Sequence, residues 1–136
     1  MSNAAEIERS PAGLEQVPLT VTSSGRTHRF TVEVARTAEE QATGLMNRSS
    51  LAPDRGMIFP FEQQRVAGFW MKNTLIPLDM IFVRADGSIA NIEANTVPLS
   101  LQPVYSEGEV AAVLEIAGGR SAELGVQQGD KVTWKH

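Results

Sequence analysis

Apolar and polar positions alternate along much of this chain, in short runs broken by turn residues. Over residues 28–35, Phe30, Val32 and Val34 share one face while Arg29, Thr31 and Glu33 share the other. A period of two with one apolar face predicts a half-buried strand. Residues 17–22 read as its partner, joined to it by the hairpin turn Ser23-Ser24-Gly25-Arg26. Met57-Ile58-Phe59 predicts a strand that Pro60 stops or pushes to an edge. Residues 66–71 and 75–83 predict two more. Arg84-Ala85-Asp86-Gly87 turns the second of these back onto residues 88–95, the Asp-Gly pair being a strong hairpin signal. In that return run Ala90, Ile92 and Ala94 lie opposite Ile89, Asn91 and Glu93, again the pattern of a half-buried strand. Pro103-Val104-Tyr105 predicts a short edge strand. Residues 110–116, apolar on both faces except at Glu115, predict a central one, and residues 131–134 the last.

The helical period is scarce. Thr37-Ala38-Glu39-Glu40 has the form of a capping box, in which the Thr37 hydroxyl accepts from the Glu40 N–H and the Glu40 side chain reaches back to Thr37. Ala38, Ala42, Leu45 and Met46 follow at helical spacing, which predicts a short helix that docks by one stripe and ends near Asn47. Ala52-Pro53-Asp54-Arg55-Gly56 is a turn. Ala117-Gly118-Gly119 opens a second helical turn that runs to Leu124, with Gly125 at the C-cap position. About eight or nine short strands with one or two short helices predict a mainly β fold, a single-domain antiparallel barrel or sandwich. Residues 17–136 are that domain. Residues 1–16 read apart from it: Met1-Ser2-Asn3-Ala4 looks like an expression-vector remnant, and residues 5–16 mix charge, Pro and Gly without a period, as a loose leader does.

Composition removes several function classes. A chain of 136 residues is one domain. The net charge of -4 and pI near 5.2 argue against nucleic acid or an anionic membrane surface as a partner. With no cysteine there is no disulfide, thiolate zinc site, iron–sulfur cluster or cysteine nucleophile. The most apolar run, residues 75–83, is short of the ~20 residues a spanning helix needs and contains Pro77 and Asp79, so no transmembrane segment is expected. No secretory signal is visible in the sequence either.

Specific motifs occur in a fixed order. They are Gly44-Leu45-Met46-Asn47-Arg48, Gly56-Met57-Ile58-Phe59, Phe69-Trp70-Met71-Lys72-Asn73-Thr74, Ile76-Pro77-Leu78-Asp79-Met80-Ile81-Phe82, Leu114-Glu115-Ile116-Ala117-Gly118-Gly119 and Gly125-Val126-Gln127-Gln128-Gly129-Asp130. On these motifs the chain, over about residues 17–134, resembles the prokaryotic family called domain of unknown function 192. The resemblance implies a compact β-rich domain, often found behind an export signal, and so a periplasmic or secreted location. It brings no reaction, substrate or cofactor with it. Gln127-Gln128 departs from the family pattern, which is more often charged on this turn.

Candidate chemistry has to be weighed residue by residue. There is no Gly-x-Ser-x-Gly elbow, and the only histidines are His28 on a strand and His136 at the end, so a nucleophilic triad lacks its base. Ala117-Gly118-Gly119-Arg120-Ser121 lacks the lysine and spacing of a phosphate-binding loop. Met46, Met57, Met71 and Met80 carry thioethers that suit Cu(I). Without a Met-x-x-Met cluster or adjoining histidine they read as core filling. Asp79 and Glu115 are too few oxygens for a hard cation. No metal and no cofactor are expected.

The polar residues inside apolar runs are the better lead: Arg48, Lys72, Asn73, Asp79 and Glu115, with Trp70 among them. Such groups must pair or line a wet cleft. Two readings follow. Lys72 or Arg48 pairs with Asp79 or Glu115 and locks the sheet. Alternatively the six residues line one pocket, where Trp70 stacks, Asn73 and Asp79 hydrogen-bond, and Arg48 and Lys72 orient charge. Strand alternation puts Trp70 and Lys72 on one face and Phe69, Met71 and Asn73 on the other, so the indole lies in a groove if Phe69 and Met71 fill the core. The function expected from this set is a non-enzymatic, exported binding module for a small polar or carbohydrate-like ligand. One alternative is a hydrolase-like enzyme using Asp79 and Glu115 as acid and base, which needs the carboxyls ~5–10 Å apart on one cleft. Another is a protein-interaction module that adds a partner strand to a bare sheet edge.

Overall fold

The computed structural model describes residues 9–135, so the readings that fall on residues 1–8 and on His136 lie outside it. The elements follow in the order β1 (Gln16–Ser23), β2 (Arg26–Val34), α1 (Ala38–Thr43), β3 (Arg55–Arg65), β4 (Gly68–Phe69), β5 (Leu78–Val83), β6 (Ile89–Glu93), β7 (Val104–Tyr105), β8 (Val110–Ala117), α2 (Arg120–Leu124) and β9 (Lys131–Trp134). Seven strands form one sheet in the order β6-β5-β8-β3-β2-β1-β9, and β4 pairs with β7 in a second, smaller one. Every pairing is antiparallel except β2 with β3, where the chain crosses by way of α1. The large sheet curls until its two edge strands meet. The Ile89 N–H donates to the Asp130 carbonyl and the Val132 N–H to the Gly87 carbonyl, each at 2.8 Å. The fold is therefore mainly β: a curled half-barrel sheet with a small second sheet beside it. No helix among the described residues is long and apolar enough to cross a membrane.

Alternation sorts the buried side chains into two clusters, one on each face of the sheet. Leu19, Phe30, Val32, Ile58, Ile81, Leu114 and Ile116 fill one. Met57, Phe59, Met71, Leu78, Met80, Phe82 and Val113 fill the other, beneath α1 and the β4–β7 pair. β5 and β8 are buried on both faces, which is why they read as unbroken apolar runs. β3 and β8 approach so closely at Gly56 that a Cβ there would collide with the Glu115 carbonyl, so the position requires glycine.

Some sequence expectations need correction. α1 ends at Thr43 rather than near Asn47, because the chain reverses at Gly44 (φ 48°). Its capping box is present: the Glu40 N–H donates to the Thr37 hydroxyl at 3.0 Å and the Thr37 N–H to the Glu40 carboxylate at 3.1 Å. The helix does not dock by a buried stripe, since none of its residues is buried. Pro60 does not end its strand. β3 runs on to Arg65 through a shift of register against β8 between Pro60 and Arg65, the irregularity that lets a strand tolerate proline. β4 is only two residues long because the chain turns at once, with the Thr74 N–H donating to the Met71 carbonyl at 3.0 Å and Asn73 at φ 55°. In β6, Ile89, Ala90 and Asn91 are all buried, not half of them, because the curl covers both faces. Residues 9–15, part of the expected loose leader, are folded onto the sheet: the buried Ser10 hydroxyl donates to Glu33 at 2.6 Å.

Candidate functional site

Two small residues on α1 make room for a cleft. Ala38 and Ala42 fall one turn apart on the helix, and both line a cavity of about 330 Å³ between α1, the turn after it, β4 and the face of β8. Aromatic rings form its walls. Phe59 and Phe69 meet edge to face at 5.0 Å between centroids, and Phe69 continues to Phe82 at 6.5 Å. Trp70, 49% exposed, stands at the rim. Thr74, Gln41, Arg65 and Met46 complete the lining used below.

Glu115 reaches this cavity from β8. It is flanked across the ladder by Met57 on β3 and Met80 on β5 and shares their apolar face. It is only 4% exposed, yet its carboxyl makes no hydrogen bond or ion pair with any described residue. Burial pushes its pKa up to about 8, so the group is neutral at pH 7.

The six sequence candidates separate. Trp70 and Glu115 share the cleft. Asp79 does not pair with Lys72 or Arg48, and the expectation of that ion pair is wrong. It sits fully buried as the acceptor of four hydrogen bonds: Oδ1 takes the N–H groups of Asn95 and Gly119, each at 2.9 Å, and Oδ2 takes the Ser121 N–H at 2.9 Å and the Ser121 hydroxyl at 2.5 Å. Backbone donors satisfy this carboxylate, so no base is needed. Arg48 instead forms a forked pair with Glu33, Nη2 to Oε2 at 3.1 Å, on the far side of β3 from Glu115. Lys72 is exposed and holds its ammonium 5.2 Å over the Trp70 ring. Asn73 is exposed, and its carbonyl accepts from the Asn47 N–H at 2.8 Å.

The acid–base alternative fails on geometry. Asp79 pairs with Ile116 and Met80 with Glu115, so the two carboxyls point to opposite faces of the sheet and share no cleft. Among the described residues the two edges of the large sheet meet where β6 begins against β9, which leaves less open edge there for a partner strand. Among the described residues no three His, Asp or Glu side chains gather as a metal site would. Met57, Met71 and Met80 lie in the core, and the Met71 sulfur accepts from the Thr96 hydroxyl at 3.1 Å.

A family model described as uncharacterized ACR, the domain of unknown function 192, matches residues 19–134. The chain belongs to this family. No curated protein matches it. Two solved structures are similar to this family member. One, a protein of unknown function from Novosphingobium aromaticivorans DSM 12444, is 47% identical with a TM-score of 0.92, the alignment covering 98% of each chain. The other, from Sinorhizobium meliloti 1021 and described as a candidate transcription regulator, is 43% identical with a TM-score of 0.86, covering 89% of this chain and 95% of that one.

Sequence reasoning missed most of the lining of this domain-192 cleft: Gln41, Phe59, Arg65, Phe69 and Thr74. One signal was available. Ala38 and Ala42, which α1 presents to this cavity, are too short to fill it, and small residues there leave a hollow. A second irregularity adjoins the site. Leu99 holds φ 66°, rare for an apolar side chain, and donates its N–H to the Thr74 carbonyl at 3.0 Å.

Proposed function

We propose that this chain is a non-enzymatic, exported binding module that holds a small polar ligand in the cleft between Trp70 and Glu115. The reading rests on one observation: a buried carboxyl, without a partner among the described residues, in the lining of an aromatic-walled cavity of about 330 Å³. A cavity of this size, mostly apolar with a few convergent polar groups, has the form of a small-molecule site. The half-exposed indole offers a flat apolar face to a carbohydrate-like ring, and the carboxyl offers it a hydrogen bond. With its carboxylates turned apart, the site has no acid–base pair for hydrolysis, which favours binding over catalysis. The net charge of -4 favours a small ligand over a phosphate backbone, so the regulator description of the Sinorhizobium neighbour lends no partner here. Export rests on the family resemblance.

Backbone amide shifts on titration with monosaccharides and small alcohols, amides and amines test the reading. The amides of residues 38–46, 68–74 and 115 are expected to move together, and Trp70→Ala is expected to weaken the response. Shifts elsewhere on the sheet, or none with any probe, would overturn it.

A further inference from the structure

Several polar side chains of the cleft are left with acceptors only, while the Thr43 hydroxyl and the Trp70 indole N–H can donate. Gln41 donates both amide hydrogens to backbone carbonyls, Ala35 at 3.0 Å and Pro60 at 2.7 Å, and keeps only its Oε1 for a ligand. The Thr74 hydroxyl donates to the Lys72 carbonyl at 3.1 Å and keeps only lone pairs. Glu115 can donate while protonated; its pKa is about 8, and once ionised it accepts and donates nothing. Among the described residues Arg65 is the basic residue of the lining, and its guanidinium stacks 4.1 Å over the ring of Phe61. The walls are aromatic faces, whose quadrupole attracts positive charge. A neutral sugar, which must both give and take hydrogen bonds, finds few donors here. A ligand that donates and carries positive charge finds every partner it needs.

We propose that the cleft is built for an organic cation, a small molecule with a protonated primary amine whose ammonium meets Glu115 and whose carbon frame lies against Phe59, Phe69 and Trp70. This rests on the reading of the cleft as a binding site. Lys72 displays the same chemistry at the rim, its ammonium standing over the indole of Trp70.

The test uses matched pairs that differ in one group: benzylamine against benzyl alcohol, and glucosamine against glucose, titrated into the full chain at pH 8 by calorimetry. Each amine is expected to bind at least ~10-fold tighter than its hydroxyl twin, a difference of about 1.4 kcal/mol. Glu115→Gln is expected to erase that difference, whereas Trp70→Ala weakens both members of a pair. Equal binding of the twins to the parent overturns the cation while leaving the cleft reading intact. An amine preference that survives Glu115→Gln also overturns it, since the charge is then met elsewhere. If neither twin of either pair binds the parent, the cleft reading falls and this inference with it. Should Glu115→Gln fail to fold by circular dichroism, the comparison of twins on the parent protein decides.

Discussion

Asp79 and Glu115 stand one register step apart on neighbouring strands and face opposite sides of the sheet. Both are buried carboxyls in apolar runs, and their surroundings treat them in opposite ways. Asp79 receives four donors from Asn95, Gly119 and Ser121, and so ties the loop after β6 and the start of α2 to β5. Glu115 receives none from the described residues and opens on a cavity. One acid holds the fold together, and the other waits for a ligand.

Asp79→Ala is expected to cost about 2–4 kcal/mol, because three backbone N–H groups and a hydroxyl lose their acceptor. Asp79→Asn is expected to recover less than half of that, since one carboxylate oxygen becomes an N–H₂ facing donors. Urea denaturation of both variants is the check. An asparagine variant as stable as the parent would show that the oxygens are replaceable.

Glu115 gives the protein a pH dependence with a definite sign. Its folded-state pKa, about 8, lies above the unfolded value near 4.5. Between these values the folded chain keeps a proton that the unfolded chain has lost, so stability falls as pH rises, by about 1.4 kcal/mol per unit at most, and levels off above pH 8. Glu115→Gln is expected to flatten that slope and to be the more stable form at pH 8.5. Chemical denaturation from pH 5 to 9 reads both. A parent curve without the descending limb contradicts the assignment.

Trp70→Ala is expected to cost under ~1 kcal/mol, far less than the ~3–5 kcal/mol of a buried aromatic, because the ring is half exposed. In a Trp134→Phe background, Trp70 emission is expected at long wavelength and open to iodide. A blue-shifted, protected emission would place the ring in the core and remove it from ligand binding.

Arg48→Ala is expected to destabilise by about 2–3 kcal/mol. The Glu33 carboxylate is buried and would keep only the Ser10 hydroxyl, at 2.6 Å. A double-mutant cycle with Glu33→Gln isolates the pair, and a coupling below ~0.5 kcal/mol would make the fork incidental.

The strands were legible where one face alternates or where a turn residue has a fixed task. β9 and the hairpin of β1 with β2 emerge where Lys131, Ser24 and Gly25 place them. The capping box at Thr37 and Glu40 was equally plain, because it is local chemistry. What the sequence hid was non-local. Pro60 is tolerated only because a register shift against β8 absorbs it, and no residue near Pro60 announces that. The candidate site was half legible. Polarity inside apolar runs flagged Asp79 and Glu115 alike, but which one receives backbone donors depends on where residues 95 and 119–121 come to lie. Arg48 found Glu33 rather than Asp79 because β2 and β3 lie side by side in parallel, a pairing with no local signature.

The first strand of the sheet carries the last one. β1 pairs with β9 from Leu19 opposite Trp134 to Thr22 opposite Lys131. A ribosome delivers the chain from its N-terminus, so the hairpin of β1 and β2 can form early in synthesis. The seam with β9 stays open until residue 134 has emerged. Until then Leu19 and Val21 lack the cover of Val132 and Trp134, and the rims of β1 and β6 present unpaired backbone, the kind of surface that invites mispairing between chains. That seam therefore cannot close before residues 131–134 are available to it. A chain cut before Lys131 would leave the rims of β1 and β6 without these partners.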